Sequence, residues 1–327
     1  MARRRKLSLL VVLLADVVTL AACSTGPSVN GSFARSFSVT GPVRLELSNA
    51  AGEVEITGSK DHTVSVHADV RASGFGFDSP QKRLDETVSN PPIEQRGDTI
   101  RIGKDMSRMR NITIAYTIQV PLDTEVDVTV ASGAQTIRGV RGPVKVQAAS
   151  GAIRVEKIER DAQLSTASGS VSASDIGSEV RVSSASGSVT VSNTRGDVRV
   201  KALSGVIRVS NPGGRIEADT ASGEVEIHGA ASDVKAHAAS GRVSVQGNPS
   251  AGSYWELKTV SGGVQLVVPA SANLHLSAEA VSGDIRSDVP IVVEEQSKHS
   301  LRAHMGSGGG RVDVHTVSGE IRVTGTN

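Results

Sequence analysis

Hydrophobic and polar residues alternate along most of the chain, in short runs separated by glycine. Within residues 126–245, pairs of apolar residues two positions apart flank a recurring serine. Val144 and Val146, for example, precede Ser150, and Ile153 and Val155 follow it. A period of two is typical of a β-strand with one buried face. β-Branched residues interrupted by frequent glycines disfavour a helix. Each repeat is therefore predicted to contain two short strands.

The serine is always followed by glycine, and this Ser-Gly pair returns at a fixed 18-residue interval. A fixed short period indicates a repeat architecture, and glycine suits a corner because it tolerates positive φ. We therefore predict an all-β fold, a single-stranded parallel β-helix or β-solenoid with 18-residue coils that stack about 4.8 Å apart. The predicted structural corners are Ser132, Gly133, Ser150, Gly151, Ser168, Gly169, Ser186, Gly187, Ser204, Gly205, Ser222, Gly223, Ser240 and Gly241.

The repeat continues with less regular spacing towards the C-terminus. Ser-Gly returns at Ser261, Ser282 and Ser318, after intervals of 21, 21 and 36 residues. The regular solenoid is therefore predicted to span residues 126–327, with a polar excursion at 288–310 and one more coil that closes the chain. Aromatic residues make up only 2% of the sequence, which predicts a thin core without room for large rings.

The N-terminal part of the solenoid is predicted to be less regular. Residues 36–125 alternate like strands but are interrupted by an insertion at 72–110. The Ser-Pro pair at 79–80 is suited to begin a short helix that carries Leu84, and a hairpin with its turn at residues 96–98 is predicted to follow. Such an insertion would cover the open end of the solenoid.

The first residues have the pattern of a lipoprotein signal peptide, predicted at 1–22. Four basic residues precede an apolar run that is too short to span a membrane comfortably. Leu20, Ala21 and Ala22 then lead to Cys23, as in a bacterial lipobox. A plain secretory signal or one transmembrane helix is the alternative. With its only cysteine lipidated, the mature chain would form no disulfide. The small residues of 23–35 are predicted to form a tether.

The charge balance argues against a nucleic-acid partner. The chain has 35 basic and 34 acidic residues, and removing the signal peptide takes away four basic residues and one acidic residue. The remaining 31 and 33 give a formal charge of −2. Binding to phosphate backbones requires a clustered excess of lysine and arginine.

The serines and carboxylates do not form a predicted catalytic site. A serine nucleophile needs one special serine with a base in reach, whereas these serines recur equivalently. Glu224 and Glu226 are the acids that a carbohydrate-active β-helix enzyme would use. Stacking at the repeat interval instead predicts charge pairs between strands. The predicted partners are Arg199 and Lys235 for Glu217, Lys201 and His237 for Asp219, Arg208 for Glu226 and Arg242 for Glu224.

No metal, cofactor or phosphate site is predicted. His237 and His315 occupy the same repeat position, but several coils are expected to separate them, too far to share a metal. The glycine-rich run at 306–310 lacks the ending of a phosphate loop and precedes a strand. A column of basic side chains could follow an anionic glycan, although a solvated face is the favoured interpretation. Its members are Lys145, Arg181, Arg199 and Lys235.

Several motifs together resemble a known family. They are the Ser-Gly-x-Ile/Val-x-Val repeats, YTIQVP at 116–121, VSGDIR at 281–286, GSGGG at 306–310 and TVSGEI at 316–321. On these residues the chain resembles the bacterial putative-adhesin family of β-solenoid envelope proteins, a domain-of-unknown-function family, over about residues 40–327. The resemblance implies a solenoid of the cell envelope, lipid-anchored or membrane-attached, with no catalytic residues to transfer.

The sequence thus favours a non-catalytic, lipid-anchored envelope protein that presents a binding surface as an adhesin or scaffold. Its expected location is the bacterial envelope, at the outer membrane or cell surface if the cell has two membranes. The expected partners are the membrane, through the N-terminal lipid, and a glycan or an envelope protein. The alternative is an interaction module of envelope stress or assembly on the periplasmic side. A carbohydrate-active enzyme is the least favoured hypothesis.

Overall fold

A computed structural model describes residues 28–74, 79–103 and 111–326. Cys23 and the predicted signal peptide lie outside the described residues, so their roles stay predictions. Within the described ranges there are one helix, α1 (Pro80–Ser89), and 27 strands. The strands are β1 (Ser28–Ser38), β2 (Val43–Ala51), β3 (Val54–Ser59), β4 (Thr63–Ser73), β5 (Ile93–Arg96), β6 (Thr99–Ile102), β7 (Ile112–Pro121), β8 (Thr124–Ser132), β9 (Gln135–Val140), β10 (Val144–Ser150), β11 (Ile153–Ile158), β12 (Ala162–Ser168), β13 (Val171–Ile176), β14 (Val180–Ser186), β15 (Val189–Thr194), β16 (Val198–Pro212), β17 (Ile216–Ala230), β18 (Val234–Ser240), β19 (Val243–Gly247), β20 (Tyr254–Ser261), β21 (Val264–Pro269), β22 (Leu274–Ser282), β23 (Ile285–Ser287), β24 (Val292–Gln296), β25 (Ser300–Met305), β26 (Gly310–Ser318) and β27 (Ile321–Thr326).

The central strands, from β8 to β19, pair in parallel with the strands of the neighbouring repeats. Val146 of β10 pairs with Val128 on one side and Leu164 on the other, the equivalent positions of the adjacent repeats. Alternate side chains of these strands are buried, because successive residues of a strand point to opposite faces. Each repeat therefore adds either two strands or, in β16 and β17, one longer strand that continues through the Ser-Gly pair, to a common apolar core.

The sheet as a whole is mixed, because antiparallel strands flank the parallel ladders near both ends of the chain. At the N-terminal end β4 pairs antiparallel with β1 and β7, and β5 pairs antiparallel with β6. At the C-terminal end β25 pairs antiparallel with β22 and β24. The prediction of an all-β, solenoid-like fold with one short helix is confirmed.

The N-terminal end contains the predicted helix but less tether than expected. The Ser79 hydroxyl caps α1 by accepting from the Lys82 N–H at 3.2 Å, and buried Leu84 lies over Gly31 of β1. The tether was predicted to span residues 23–35, but the residues from Ser28 onward are part of a strand. Those residues form β1, whose side chains alternate weakly and whose backbone pairs with β4.

The last pair of strands does not lie at the end of the stack. Val314 of β26 pairs in parallel with Leu257 of β20 and with Ala278 of β22, and β27 lies likewise between β21 and β23. The predicted excursion at 288–310 contains β24 and β25, which turn the chain back before this insertion. The 36-residue interval between Ser282 and Ser318 thus predicted the position of β26 within a repeat, but not its place in the order of strands along the stack.

The core also holds three aromatic rings, those of Phe33, Tyr116 and Trp255, contrary to the sequence-based expectation. Trp255 is 0% exposed and Tyr116 is 2% exposed. The Trp255 Nε1–H donates to the Ser232 carbonyl at 2.7 Å, and Phe33 packs edge-on against Tyr116. All three rings lie outside the strict 18-residue stretch.

Candidate functional site

The regular repeats turn at two corners, and the first of them, the Ser-Gly corner, contains the predicted pairs from Ser132 to Gly241. Its glycines have φ between +116° and +152°, and its serines are exposed. The Gly151 N–H donates to the Ser168 carbonyl of the next repeat at 3.1 Å. A Cβ on Gly187 would lie 2.1 Å from the Gly169 carbonyl oxygen. Glycine is therefore required here by the neighbouring backbone as well as by φ.

The second corner, seven residues after each serine, also has positive φ but carries side chains. We call it the left-handed corner. Its members are Gly139, Lys157, Asp175, Asn193, Asn211 and Gly229. Among the described residues, it holds four of the five non-glycine residues with positive φ. A Cβ on Gly139 would meet nothing closer than 4.0 Å, so this corner has room for side chains.

The left-handed corner was not predicted from the sequence, although the sequence carries a signal for it. Glycine, asparagine and aspartate are the residues that adopt left-handed backbone most readily, and they recur here at the 18-residue spacing. The column is partly hidden because Lys157 occupies one of its positions. The column also contains no apolar residue, so it adds nothing to the hydrophobic pattern of the repeats.

Three side chains of the left-handed corner form a hydrogen-bonded line that we call the amide ladder. The Asn193 Nδ2 donates to Asp175 Oδ1 at 3.1 Å, and the Asn211 Nδ2 donates to Asn193 Oδ1 at 3.1 Å. All three residues are exposed. The ladder therefore holds polar groups in fixed positions at the surface, one per repeat.

A groove of about 660 Å³, the corner groove, follows the left-handed corner. The left-handed residues form one wall of the groove. The other wall is formed by the residues two positions later in each repeat, namely Arg141, Glu159, Gly177 and Arg195. Buried Ile158 and Ile176 lie between the two walls. The Gly177 N–H donates to the Ile158 carbonyl at 2.7 Å, and the Arg195 N–H donates to the Ile176 carbonyl at 3.0 Å. These backbone bonds across repeats make the groove part of the rigid sheet.

The corner groove is long, narrow and nearly balanced in charge. From Gly139 to Asn211 it crosses four repeat steps, about 19 Å at about 4.8 Å per step. Its charged lining comprises three cations and two carboxylates, namely Arg141, Lys157, Arg195, Glu159 and Asp175. Arg141 lies between two acids, 3.3 Å from Glu159 and 3.9 Å from Asp123.

The acids considered for catalysis lie beside basic side chains. Arg208 lies 2.5 Å from Glu226, and Arg242 lies 3.7 Å from Glu224. The other distances are 3.7 Å for Arg199 and Glu217 and 3.5 Å for His237 and Asp219. Lys201 and Lys235 stand in register with Asp219 and Glu217. In the basic column, Lys145 lies 3.6 Å from Asp127, and Arg181 is paired with Glu179.

The clearly shifted carboxyl pKa values have local structural causes outside the corner groove. The Tyr254 backbone N–H donates to Asp233 and lowers the pKa of that carboxyl. A hydrogen bond from Lys258 lowers the pKa of Glu256. Burial raises the pKa of the Tyr116 phenol. Each of these groups belongs to a structural contact rather than to an acid–base pair in a cleft.

The two histidines of one repeat position are closer than predicted. Only Lys258 separates His237 from His315 across the sheet, because β26 is inserted beside β20. They are still two strand spacings apart, about 10 Å, which is too far for both histidines to bind one metal ion. In the described ranges, no group of three metal-binding side chains is arranged around a common point. No helix there is long and apolar enough to cross a membrane.

These features define an all-β repeat protein with stacked polar corners. A sequence profile of the family Toastrack DUF4097 matches residues 43–252 and 218–324, and the chain belongs to this family. The resemblance inferred from the repeats is thereby confirmed. The comparison with curated proteins gave no match.

Three solved structures are distantly similar. One is a putative cell adhesion protein from Clostridium sporogenes, 11% identical over 91% of this chain and 100% of that chain, with a TM-score of 0.22. A putative lipid binding protein from Parabacteroides distasonis is 14% identical over 90% and 97%, with a TM-score of 0.40. A putative adhesin from Bacteroides fragilis is 12% identical over 90% and 97%, with a TM-score of 0.29. At these scores none carries an argument about function.

Proposed function

We propose that this chain is a non-catalytic binding protein of the bacterial cell envelope, anchored by a lipid on Cys23. Its β-solenoid of 18-residue coils would act as a rigid rod that presents the corner groove to a ligand. The observation that carries the proposal is the amide ladder, which fixes exposed polar groups at regular intervals along one groove. Fixed groups lose little conformational entropy when a ligand binds.

The surroundings of the exposed serines and carboxylates favour a binding function over a catalytic one. The exposed serines are equivalent corner residues, and the acids that a glycosidase would need, Glu224 and Glu226, are each paired with an arginine. Paired carboxylates of a glycosidase instead face one another across a substrate cleft. The stacked charges are explained by register between strands.

The short distance between Cys23 and β1 favours a ligand close to the anchoring membrane. Five residues, 23–27, precede Ser28, the first residue of β1. Five residues can span at most about 17 Å when fully extended. A lipid on Cys23 would therefore hold the folded part near the bilayer, where envelope components are within reach.

The anchor is tested by metabolic labelling with an alkynyl fatty acid. The full chain should incorporate the label and enter the detergent phase, whereas Cys23→Ser should do neither. Labelling that persists in the Cys23→Ser chain, or a wild-type chain without label, would contradict the anchor.

The side of the membrane is tested by protease treatment of intact cells. Peptides from residues 126–327 released while a periplasmic marker stays intact would support an adhesin on the surface. Protection until the envelope is opened would exclude surface adhesion and support a scaffold within the envelope.

A further inference from the structure

Among the described residues, left-handed backbone at non-glycine positions is concentrated along the corner groove. Lys157, Asp175, Asn193 and Asn211 have φ between +51° and +56°, which is unfavourable for lysine and more readily adopted by asparagine and aspartate. Glycine makes the same turn at Gly139. Strained residues persist where the structure holds them in place, and they gather at ligand sites. The side chains of this corner are therefore candidates for a binding role beyond the turn itself.

The amide ladder keeps unused hydrogen-bonding capacity. A carboxamide has two N–H donors and two acceptor lone pairs. Asn193 uses one donor towards Asp175 and one lone pair for Asn211, so one donor and one lone pair remain. An acetamido group offers the complementary pair, one N–H and one carbonyl oxygen. The Asn193 carboxamide is therefore complementary to one acetamido group.

The charges of the groove favour an uncharged ligand. Arg141, Lys157 and Arg195 lie among Glu159 and Asp175, so a polyanion that follows the groove would meet carboxylates at two neighbouring repeats in its middle. Hydroxyl groups, in contrast, can donate to the carboxylates and accept from the cations at the same time. A hydroxyl-rich ligand satisfies both kinds of side chain.

The shape of the groove favours a linear polymer and disfavours a peptide. Its axis crosses the strands, whose backbone groups already pair with neighbouring repeats, so a peptide cannot add to it as a further strand. The apolar residues between its walls, Ile158 and Ile176, are both only 1% exposed. They provide no pocket for an apolar side-chain anchor.

We propose that the corner groove binds a linear, uncharged glycan that carries acetamido groups, with the glycan lying along the rod. The inference rests on the proposed binding function and names its ligand class. Asp175, Asn193 and Asn211 would contact the acetamido groups, and Lys157 and Arg195 would contact hydroxyl groups.

The test is calorimetric titration of the full chain, purified in detergent, with a β-1,4-linked hexamer of N-acetylglucosamine. A glucose hexamer tests the acetamido group, and a galacturonate hexamer tests charge. In the key variant, Asp175→Gly, Asn193→Gly and Asn211→Gly are combined, since glycine already makes this turn at Gly139. The matched control combines Ser168→Ala, Ser186→Ala and Ser204→Ala at the Ser-Gly corner of the same repeats. Unfolding midpoints check that both chains fold.

The N-acetylated hexamer should bind at least tenfold more tightly than either other hexamer, and the ladder variant should lose at least tenfold in affinity while the control loses none. Equal affinity for the glucose hexamer, tighter binding of galacturonate, or equal losses in both variants would overturn the inference. If no hexamer binds but the Cys23→Ser chain, which lacks the lipid, still sediments with isolated cell envelopes, the glycan site is wrong and the proposed binding function stands. If the chain also fails to sediment, both are wrong.

Discussion

Both corners of each repeat have positive φ, but only the left-handed corner has room for a side chain. At the Ser-Gly corner the neighbouring glycine carbonyl lies where a Cβ would be, 2.1 Å away at Gly187. At the left-handed corner the next backbone lies further away, and four of six positions carry side chains. A positive φ therefore does not by itself require glycine. The space beside the residue decides which corner is purely structural and which can carry function.

Both corners depend on one apolar core, and its disruption should give the largest effect. Val200 is 0% exposed, so Val200→Asp would bury an unpaired charge or a protonated acid without partners. We expect a loss of about 4 kcal/mol or more in the free energy of unfolding, measured by urea titration. Arg199→Ala on the outer face should cost less than about 1 kcal/mol, because its ion pairs are partly exposed. Similar losses for both variants would contradict the assigned core.

The Ser-Gly corner should be far less tolerant than the left-handed corner to the same substitution. Gly187→Ala places a Cβ against the Gly169 carbonyl at an unfavourable φ. We expect it to cost about 3 kcal/mol in unfolding free energy. Gly139→Ala meets no close atom and should cost only about 1 kcal/mol for left-handed backbone. The distinction between the corners fails if Gly139→Ala is the more damaging change.

The strain at Lys157 should appear as a gain in stability when the side chain is removed. Lys157→Gly relieves left-handed backbone and should stabilise the chain by about 0.5–1 kcal/mol, after the entropic cost of glycine. Lys201→Gly, on the exposed face of strand β16, should instead destabilise by about 1 kcal/mol. Thermal unfolding of the two variants measures this difference in sign. A destabilised Lys157→Gly chain would show that the lysine contributes packing that outweighs the strain.

Acid should have the smallest effect and should not distinguish the corners. The carboxyls of Glu46, Asp233 and Glu256 have lowered pKa values in the folded chain. Their contribution to stability is therefore present above the unfolded-state values of roughly 3.9–4.3 and is lost as the pH falls through the lower folded values. The thermal midpoint should be flat from pH 7 to about 5 and fall slightly towards pH 3. A midpoint that rises in acid would contradict these assignments.

The sequence predicted the parts of the fold that depend on period alone. Inward positions such as Val146 and Val155 follow from alternation, and the charge pairs of Glu224 and Glu226 follow from the 18-residue spacing. The left-handed corner was missed because one residue per repeat, of varying type, has no periodic apolar signal. The place of β26 could not be predicted, since spacing fixes register but not order along the stack. The burial of Trp255 could not be predicted either, because it lies in a 21-residue repeat whose longer connection has no local sequence pattern.

The most direct test of the contrast between the corners is to map ligand contacts by the backbone amide chemical shifts of the full chain. The N-acetylglucosamine hexamer is added in steps, and the shifted amides are assigned to residues. We expect the largest changes at Lys157, Asp175 and Asn193, with little change at Gly169 and Gly187. Changes centred on the Ser-Gly corner, or no changes at saturating glycan, would contradict it.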